Sequence, residues 1–165
     1  MGKISLARVD FRLIHGQIVT KWRTVTGINK IVVIDNILAE DDFMIKIYTS
    51  AAPAGTKTKV YSEEKALRLW NKNKFGEDAD VLILFKDLDT CYRAIKAGIG
   101  LTEIQLGGIP ITPERKSIKK AVALGEKEIS YMQELHDNYG VNFTIQVVPE
   151  DTKMEYDEIL KVYHN

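Results

Sequence analysis

A chain of 165 residues with 45% hydrophobic and 28% charged content holds enough apolar material for one full-sized core, and neither a disulfide framework nor a structural metal is needed. Lys plus Arg and Asp plus Glu both number 23, so the positive field that draws proteins onto nucleic acid or anionic lipid is lacking and nucleic-acid binding is not expected. The single cysteine, Cys91, cannot close an internal bridge and is expected to be a small buried residue in a reducing cytosol, while the absence of a secretory pattern in MGKISLARVD and of any long apolar window argues against a secreted or membrane-spanning chain.

In chain order, short β-rich runs alternate with amphipathic helical windows. Ile4 to Val9 reads as a strand, and Gln17 to about Thr26 as a helix with Ile18, Val19, Trp22 and Val25 at helical spacing and Gly27 as its stop. Lys30 to Asp35 is a second strand, apolar through its middle as strands covered on both faces are. Phe43, Met44, Ile47, Tyr48 and Ala51 mark a second helix that Pro53 and Gly55 end. Thr58 to Tyr61 is a third strand, and Ser62 caps a helix whose inner face is Ala66, Leu67 and Trp70. Asp80 to Phe85, DVLILF, is the most apolar strand and is expected at the centre.

Leu88, Cys91, Tyr92 and Ile95 form the next helix, closed by Gly98, and Glu103 to Leu106 a fifth strand ending at Gly107-Gly108. Ile109 to Lys119, with two prolines and a charge cluster, reads as an irregular excursion before a sixth short strand near Ala121 to Leu124. Ile129, Met132, His136 and Tyr139 space out a helix, Asn142 to Val148 a seventh strand, and Tyr156, Ile159, Leu160 and Tyr163 a terminal helix. The alternation predicts an α/β fold: a single-domain, open, mostly parallel sheet of about seven strands with helices on both faces, since parallel neighbours need crossover connections.

In such sheets ligands collect at loops leaving the C-terminal strand ends, and Asp10 to Gly16 is one of these loops. Arg8, Arg12 and His15 lie close together there, and a helix opens near Gln17. Free backbone N–H groups at a helix start and guanidinium forks stabilise a dianionic phosphoryl group, and Gly16 lets the backbone come close. A histidine so placed can attack phosphorus as a neutral imidazole. The residues by themselves leave three readings open. One is a phosphoryl carrier, and another a histidine-phosphatase-like enzyme, although that family writes Arg-His-Gly contiguously whereas Leu13 and Ile14 separate Arg12 from His15. The third is a non-catalytic module that holds an anion or nucleotide.

The wording of the segment Arg8 to Trp22, RVDFRLIHGQIVTKW, resembles the signature of the enzyme IIB component of the mannose/fructose/sorbose family of the bacterial sugar phosphotransferase system. The resemblance covers almost the whole chain. Asp35-Asn36 with Ala39, Glu40 and Asp41 is similar to that family's acidic segment after the second strand, Ala51-Ala52-Pro53 with Gly55 to its Ala-Ala-Pro-x-Gly turn, and Gly107-Gly108 and Val148-Pro149 to its later strand ends. It implies one IIB domain over residues 1–165, in which His15 takes a phosphoryl group on Nδ1 from a phosphohistidine of the IIA component. The group then passes to a sugar imported by the membrane IIC and IID components. Arg12 would steady the phosphoryl group; Arg8, Asp10, Gly16, Gly107 and Gly108 would support the loop or line the site. No metal or cofactor is implied, and the location would be cytoplasmic, at the inner membrane face through IIC and IID. Phe11 stands where many relatives carry a polar or acidic residue, which bears on the choice of partner and sugar.

Other features have modest expectations. Phe11, Leu13 and Ile14 either form an exposed apolar docking rim, or Leu13 and Ile14 pack the loop down. Gly107-Gly108 is a plain turn or a phosphate contact. Asp35 and Asp87 are helix-start carboxylates, His136 is half-buried on the apolar side of its helix, His164 lies at a frayed end, and Glu114 to Lys120 is a solvated face.

Overall fold

The computed structural model describes residues 1–165. In chain order the elements are β1 (Lys3–Asp10), α1 (Gly16–Thr26), β2 (Lys30–Ile34), a 3-10 helix (Leu38–Glu40), α2 (Asp42–Ala51), β3 (Lys57–Tyr61), α3 (Glu63–Asn73), β4 (Asp80–Phe85), α4 (Leu88–Ala97), β5 (Glu103–Gly108), β6 (Arg115–Lys119), β7 (Val122–Gly125), α5 (Glu126–Tyr139), β8 (Asn142–Ile145), β9 (Met154–Glu155) and α6 (Tyr156–His164). Seven strands make one sheet in the order β3-β2-β4-β1-β5-β8-β9, parallel except for the last.

The period-2 alternation of the strands assigns their two faces to two cores. Leu82 and Leu84 of β4, with Ile31 and Val33 of β2, join Val19 of α1 under α1 and α2. Val81, Ile83 and Phe85, with Val32 and Ile34, join Ala66, Cys91, Met132 and Ile159 of α3, α4, α5 and α6 on the other face. Both faces of β4 are thus buried, which is why DVLILF shows no polar alternation. Three of the six α-helices start on a side-chain cap: Asp41 accepts from Met44 N at 3.0 Å, Ser62 from Lys65 N at 3.2 Å and Asp87 from Thr90 N at 2.8 Å. At the other end, Gly27 closes α1 at φ 79°, a left-handed position that a side chain would strain.

The neighbours β1 and β4 send their chains to opposite faces, β1 into α1 and β4 into α4. Their C-terminal ends therefore flank a crevice at a topological switch point, where parallel sheets bind ligands.

Several expectations need correction. Ala121 to Leu124 is no strand of the main sheet: β6 and β7 form a separate antiparallel hairpin, turning through Lys120 and Ala121, whose φ is 72°. The charged run Arg115–Lys119, read as irregular, is its first strand, with Ile118 buried. The seventh place in the sheet belongs instead to β9. The strand expected to reach Val148 stops at Ile145, because the carbonyls of Gln146 and Val147 turn away to Arg8. Val25, Phe43 and Ile47, part of the apolar spacing that marked the first two helices, are 60%, 72% and 44% exposed.

Candidate functional site

The loop leaving β1 separates its residues by burial. Leu13 takes φ 55°, unusual for a branched side chain, with its N–H donating to Asp10 O at 2.9 Å. The tight turn carries Leu13 and Ile14 into the core beneath α1, where they are 2% and 5% exposed. Of the expected docking rim only Phe11 remains, at 39% exposed, and Leu13 and Ile14 are the packing that holds the loop down. Arg12 and His15 are left facing outward.

His15 is the N-cap residue of α1, in extended conformation with φ −107° and ψ 103°. Its carbonyl accepts the first helical bond, from Val19 N at 3.0 Å, while its exposed imidazole makes no capping bond. The first-turn N–H groups of α1 have no intrahelical acceptor, and no acidic residue occupies that turn. The helix therefore begins with uncompensated donors and the positive end of its dipole beside a free imidazole.

Behind the loop, Asp10 is 1% exposed and holds two arginines together. Arg12 grips it in a fork, Nε on Oδ1 at 2.9 Å and Nη2 on Oδ2 at 3.0 Å, and the Arg12 backbone N–H adds a bond to Oδ1 at 3.0 Å. Arg12 Nη2 also reaches Gly107 O at 3.3 Å, leaving Nη1 uncommitted on a side chain 29% exposed. Arg8 binds the other edge of the carboxylate, Nη2 to Oδ2 at 3.2 Å.

Arg8 itself is 2% exposed, with both terminal guanidinium nitrogens engaged. Its guanidinium donates to Gln105 Oε1, to Gln146 O at 2.9 Å and to Val147 O at 3.0 Å, over the Trp22 ring at 5.9 Å. Trp22 Nε1 donates to the same Val147 carbonyl at 3.1 Å. Burial pulls the Arg8 pKa below its ordinary value, Asp10 pushes it back up and Arg12 lowers it further. Arg8 is thus a buried support for the loop.

The glycine pair is neither a turn nor an open cradle. Gly107 and Gly108 are buried residues inside β5, and a Cβ on Gly107 would fall 2.0 Å from Arg8 Cζ. One on Gly108 would fall 2.6 Å from Asp10 Oδ1 and 3.2 Å from Arg12 Nη2. These positions are bare so that the two arginines and the carboxylate can lie against the sheet. Gly16 has a parallel reason: its Cβ would stand 3.2 Å from Ala51 O, where the end of α2 abuts the start of α1.

The structure therefore gathers Arg8, Asp10, Arg12, Gly107 and Gly108 into one cluster, with His15 and Gly16 at the loop's outer end. Gln105, Trp22 and the Gln146 and Val147 carbonyls complete the support and were not anticipated. The one available signal was the strand position of Arg8, which shares a face with Asp10 two residues on. Asp35 and Asp87 cap local turns, Asp35 Oδ1 accepting from Leu38 N at 2.8 Å. His136 is half-buried, its Nδ1 2.8 Å from Val141 O. A hollow of about 170 Å³ beside Phe11 is walled by Lys86, Asp87, Ile109, Pro110 and Arg115. A cavity of about 720 Å³ lies at the other end of β1, between Lys3–Ala7 and Gly100–Gln105. No group of three or more His, Cys, Asp and Glu residues is placed to hold a metal ion, and no helix is long and apolar enough to cross a membrane.

Known proteins share this arrangement of chain. The family model described as the PTS system sorbose subfamily IIB component matches residues 4–165. The crystal structure of manxB from Thermoanaerobacter tengcongensis superposes with a TM-score of 0.93 at 40% identity, covering 100% of this chain and 99% of that one. The IIBSor domain of the sorbose permease from Klebsiella pneumoniae gives 0.86 at 32% identity, covering 96% and 97%. A mannose-specific EIIAB component of Escherichia coli (strain K12) is 29% identical over 95% of this chain, which spans 48% of that protein, about half its length. With the match running from β1 to the last residue, the chain belongs to the sorbose subfamily of IIB components of the sugar phosphotransferase system.

Proposed function

We propose that this chain is a phosphoryl carrier: His15 accepts a phosphoryl group from a phosphohistidine on a IIA component and gives it to a sugar brought in by membrane IIC and IID components. The observation that carries the proposal is an exposed, uncommitted imidazole at the N-cap of α1, on a loop that also presents the free Nη1 of Arg12.

In the uptake step the neutral imidazole attacks phosphorus through Nδ1; the new N–P bond forms as the donor's N–P bond breaks and the donor imidazole departs. In the second step a sugar hydroxyl attacks, its oxygen bonds to phosphorus as the Nδ1–P bond of His15 breaks, its proton leaves to solvent or base, and His15 departs as the neutral imidazole. Such transition states are loose, so positioning and charge stabilisation supply most of the rate. The first-turn N–H groups of α1 and Arg12 Nη1 supply that charge, and two histidines need no metal for the exchange. Asp10 does not oppose it, because its carboxylate is held between two guanidiniums and the trio keeps one net positive charge. Between partners the chain resides in the cytoplasm, held at the inner membrane face through IIC and IID.

The test follows the group onward. Phosphorylated protein mixed with membranes holding the permease and a sugar should yield sugar phosphate. Steady release of inorganic phosphate from small phosphoesters would favour a histidine-phosphatase-like hydrolase, and failure to gain any covalent phosphoryl group would leave only an anion-binding module.

A further inference from the structure

Helix α2 packs Phe43, Met44, Ile45, Ile47 and Tyr48 into six consecutive positions, yet contains no buried residue. Met44 and Tyr48 rest on the core under the sheet, which accounts for one side. Phe43 and Ile47, one turn apart on another side, are 72% and 44% exposed, and Ile37 in the turn before the helix is 86% exposed. Soluble surfaces seldom gather large apolar side chains in this way unless something covers them. The helix also ends against the functional loop, since Ala51 O lies against Gly16, the residue after His15. At 1.5 Å per residue, Ile47 and Phe43 stand about 6 and 12 Å back from Ala51 along the axis, within the span of one ordinary interface that includes His15.

From this we infer that Ile37, Phe43 and Ile47 form the docking surface for the cytoplasmic face of the membrane permease; the inference rests on the carrier function proposed above. Charge selects the occupant. The patch is bordered by exposed Glu40, Asp41 and Asp42, against one exposed lysine, Lys46, so its border is acidic on balance. Cytoplasmic loops of membrane proteins carry an excess of Lys and Arg, so an apolar patch with an acidic border is complementary to such loops and repelled by anionic lipid.

Two half-reactions separate the possibilities. Phosphoryl uptake is measured in solution with phosphorylated IIA, and sugar phosphorylation with vesicles containing IIC and IID. A Phe43→Ser/Ile47→Ser variant should fold and take up the phosphoryl group as the wild type does, because the altered side chains are exposed. Its half-saturating concentration for sugar phosphorylation should rise about tenfold or more. A Glu40→Lys/Asp42→Lys variant should show a similar rise at low salt that shrinks as salt is added. Wild-type values for both variants in the vesicle assay would overturn the inference. So would a loss confined to uptake, which gives the patch to the IIA donor, or a wild-type dimer that the Ser variant dissolves. Should the wild type take up no phosphoryl group at all, the carrier function itself fails, a result distinct from all of these.

Discussion

The guanidinium of Arg12 lies alongside the carboxylate of Asp10, Nε to Oδ1 at 2.9 Å and Nη2 to Oδ2 at 3.0 Å, so that one fixed fork orients the remaining nitrogen. A planar guanidinium can do this and an ammonium cannot. Arg12→Lys should therefore keep the charge and lose the aim. Phosphoryl uptake from IIA, followed by rapid quench, is expected to slow by about 100-fold or more, the scale seen when an oriented donor to developing charge is removed. Because the side chain is 29% exposed, thermal unfolding should change little.

Asp10→Asn tests the other partner. At 1% exposure the residue is the shared counter-charge of two guanidiniums, and the amide would leave Arg8 and Arg12 facing each other without it. Breaking a buried ionic group in this way costs about 3–5 kcal/mol. The expected outcome is a clear fall in the urea midpoint at pH 7, and an unchanged midpoint would show that Asp10 is not the anchor of the loop.

Gly107→Ala should be among the most damaging single-methyl changes in the protein. The new Cβ would occupy the place of the Arg8 guanidinium, 2.0 Å from Cζ, so Arg8 must abandon Gln105, Asp10 and two carbonyls. Overpacking alone costs about 1–3 kcal/mol, and the unpaired charge adds to it. Thermal unfolding of Gly107→Ala against Gly100→Ala, whose Cβ would meet only Trp70 Cζ2 at an ordinary 3.7 Å, isolates the clash from the loss of glycine itself.

Cys91 gives a probe of the core away from the loop. It is fully buried, and burial, with a smaller push from Asp87, raises its thiol pKa well above the ordinary value. The folded state thus holds this proton more tightly than the unfolded chain. The resulting stability term is intact below the ordinary thiol value of about 8.5 and is lost as pH rises beyond it. A chromogenic disulfide reagent at pH 8 should find no reactive thiol in the native protein and one after denaturation.

Much of this organisation was readable from residues alone. Two-faced apolar runs such as DVLILF define central strands, and a histidine set just before an apolar helical window becomes an N-cap. The i, i+2 spacing of Arg8 and Asp10 puts their side chains on one strand face, so their pairing was implicit. What sequence could not show depends on residues far apart in the chain. Gly107 and Gly108 looked like a turn because the reason for their bareness, Arg8 and Asp10, lies about 100 positions earlier on a neighbouring strand. Leu13 and Ile14 looked like candidates for a rim because a left-handed leucine is not encoded in any local pattern. The apolar spacing of α2 was visible, but not which of its sides would lack a partner, since that depends on the sheet giving out beside it.

The central claim is that His15 is the residue that carries the phosphoryl group. The direct test is intact-mass measurement of the wild type, His15→Ala and His136→Ala after incubation with phosphoenolpyruvate, the general phosphotransferase proteins and a cognate IIA. Wild type and His136→Ala should each gain one phosphoryl group that is lost in acid and kept in base, and His15→Ala should gain none. An adduct on His15→Ala, or one that survives acid, would contradict it.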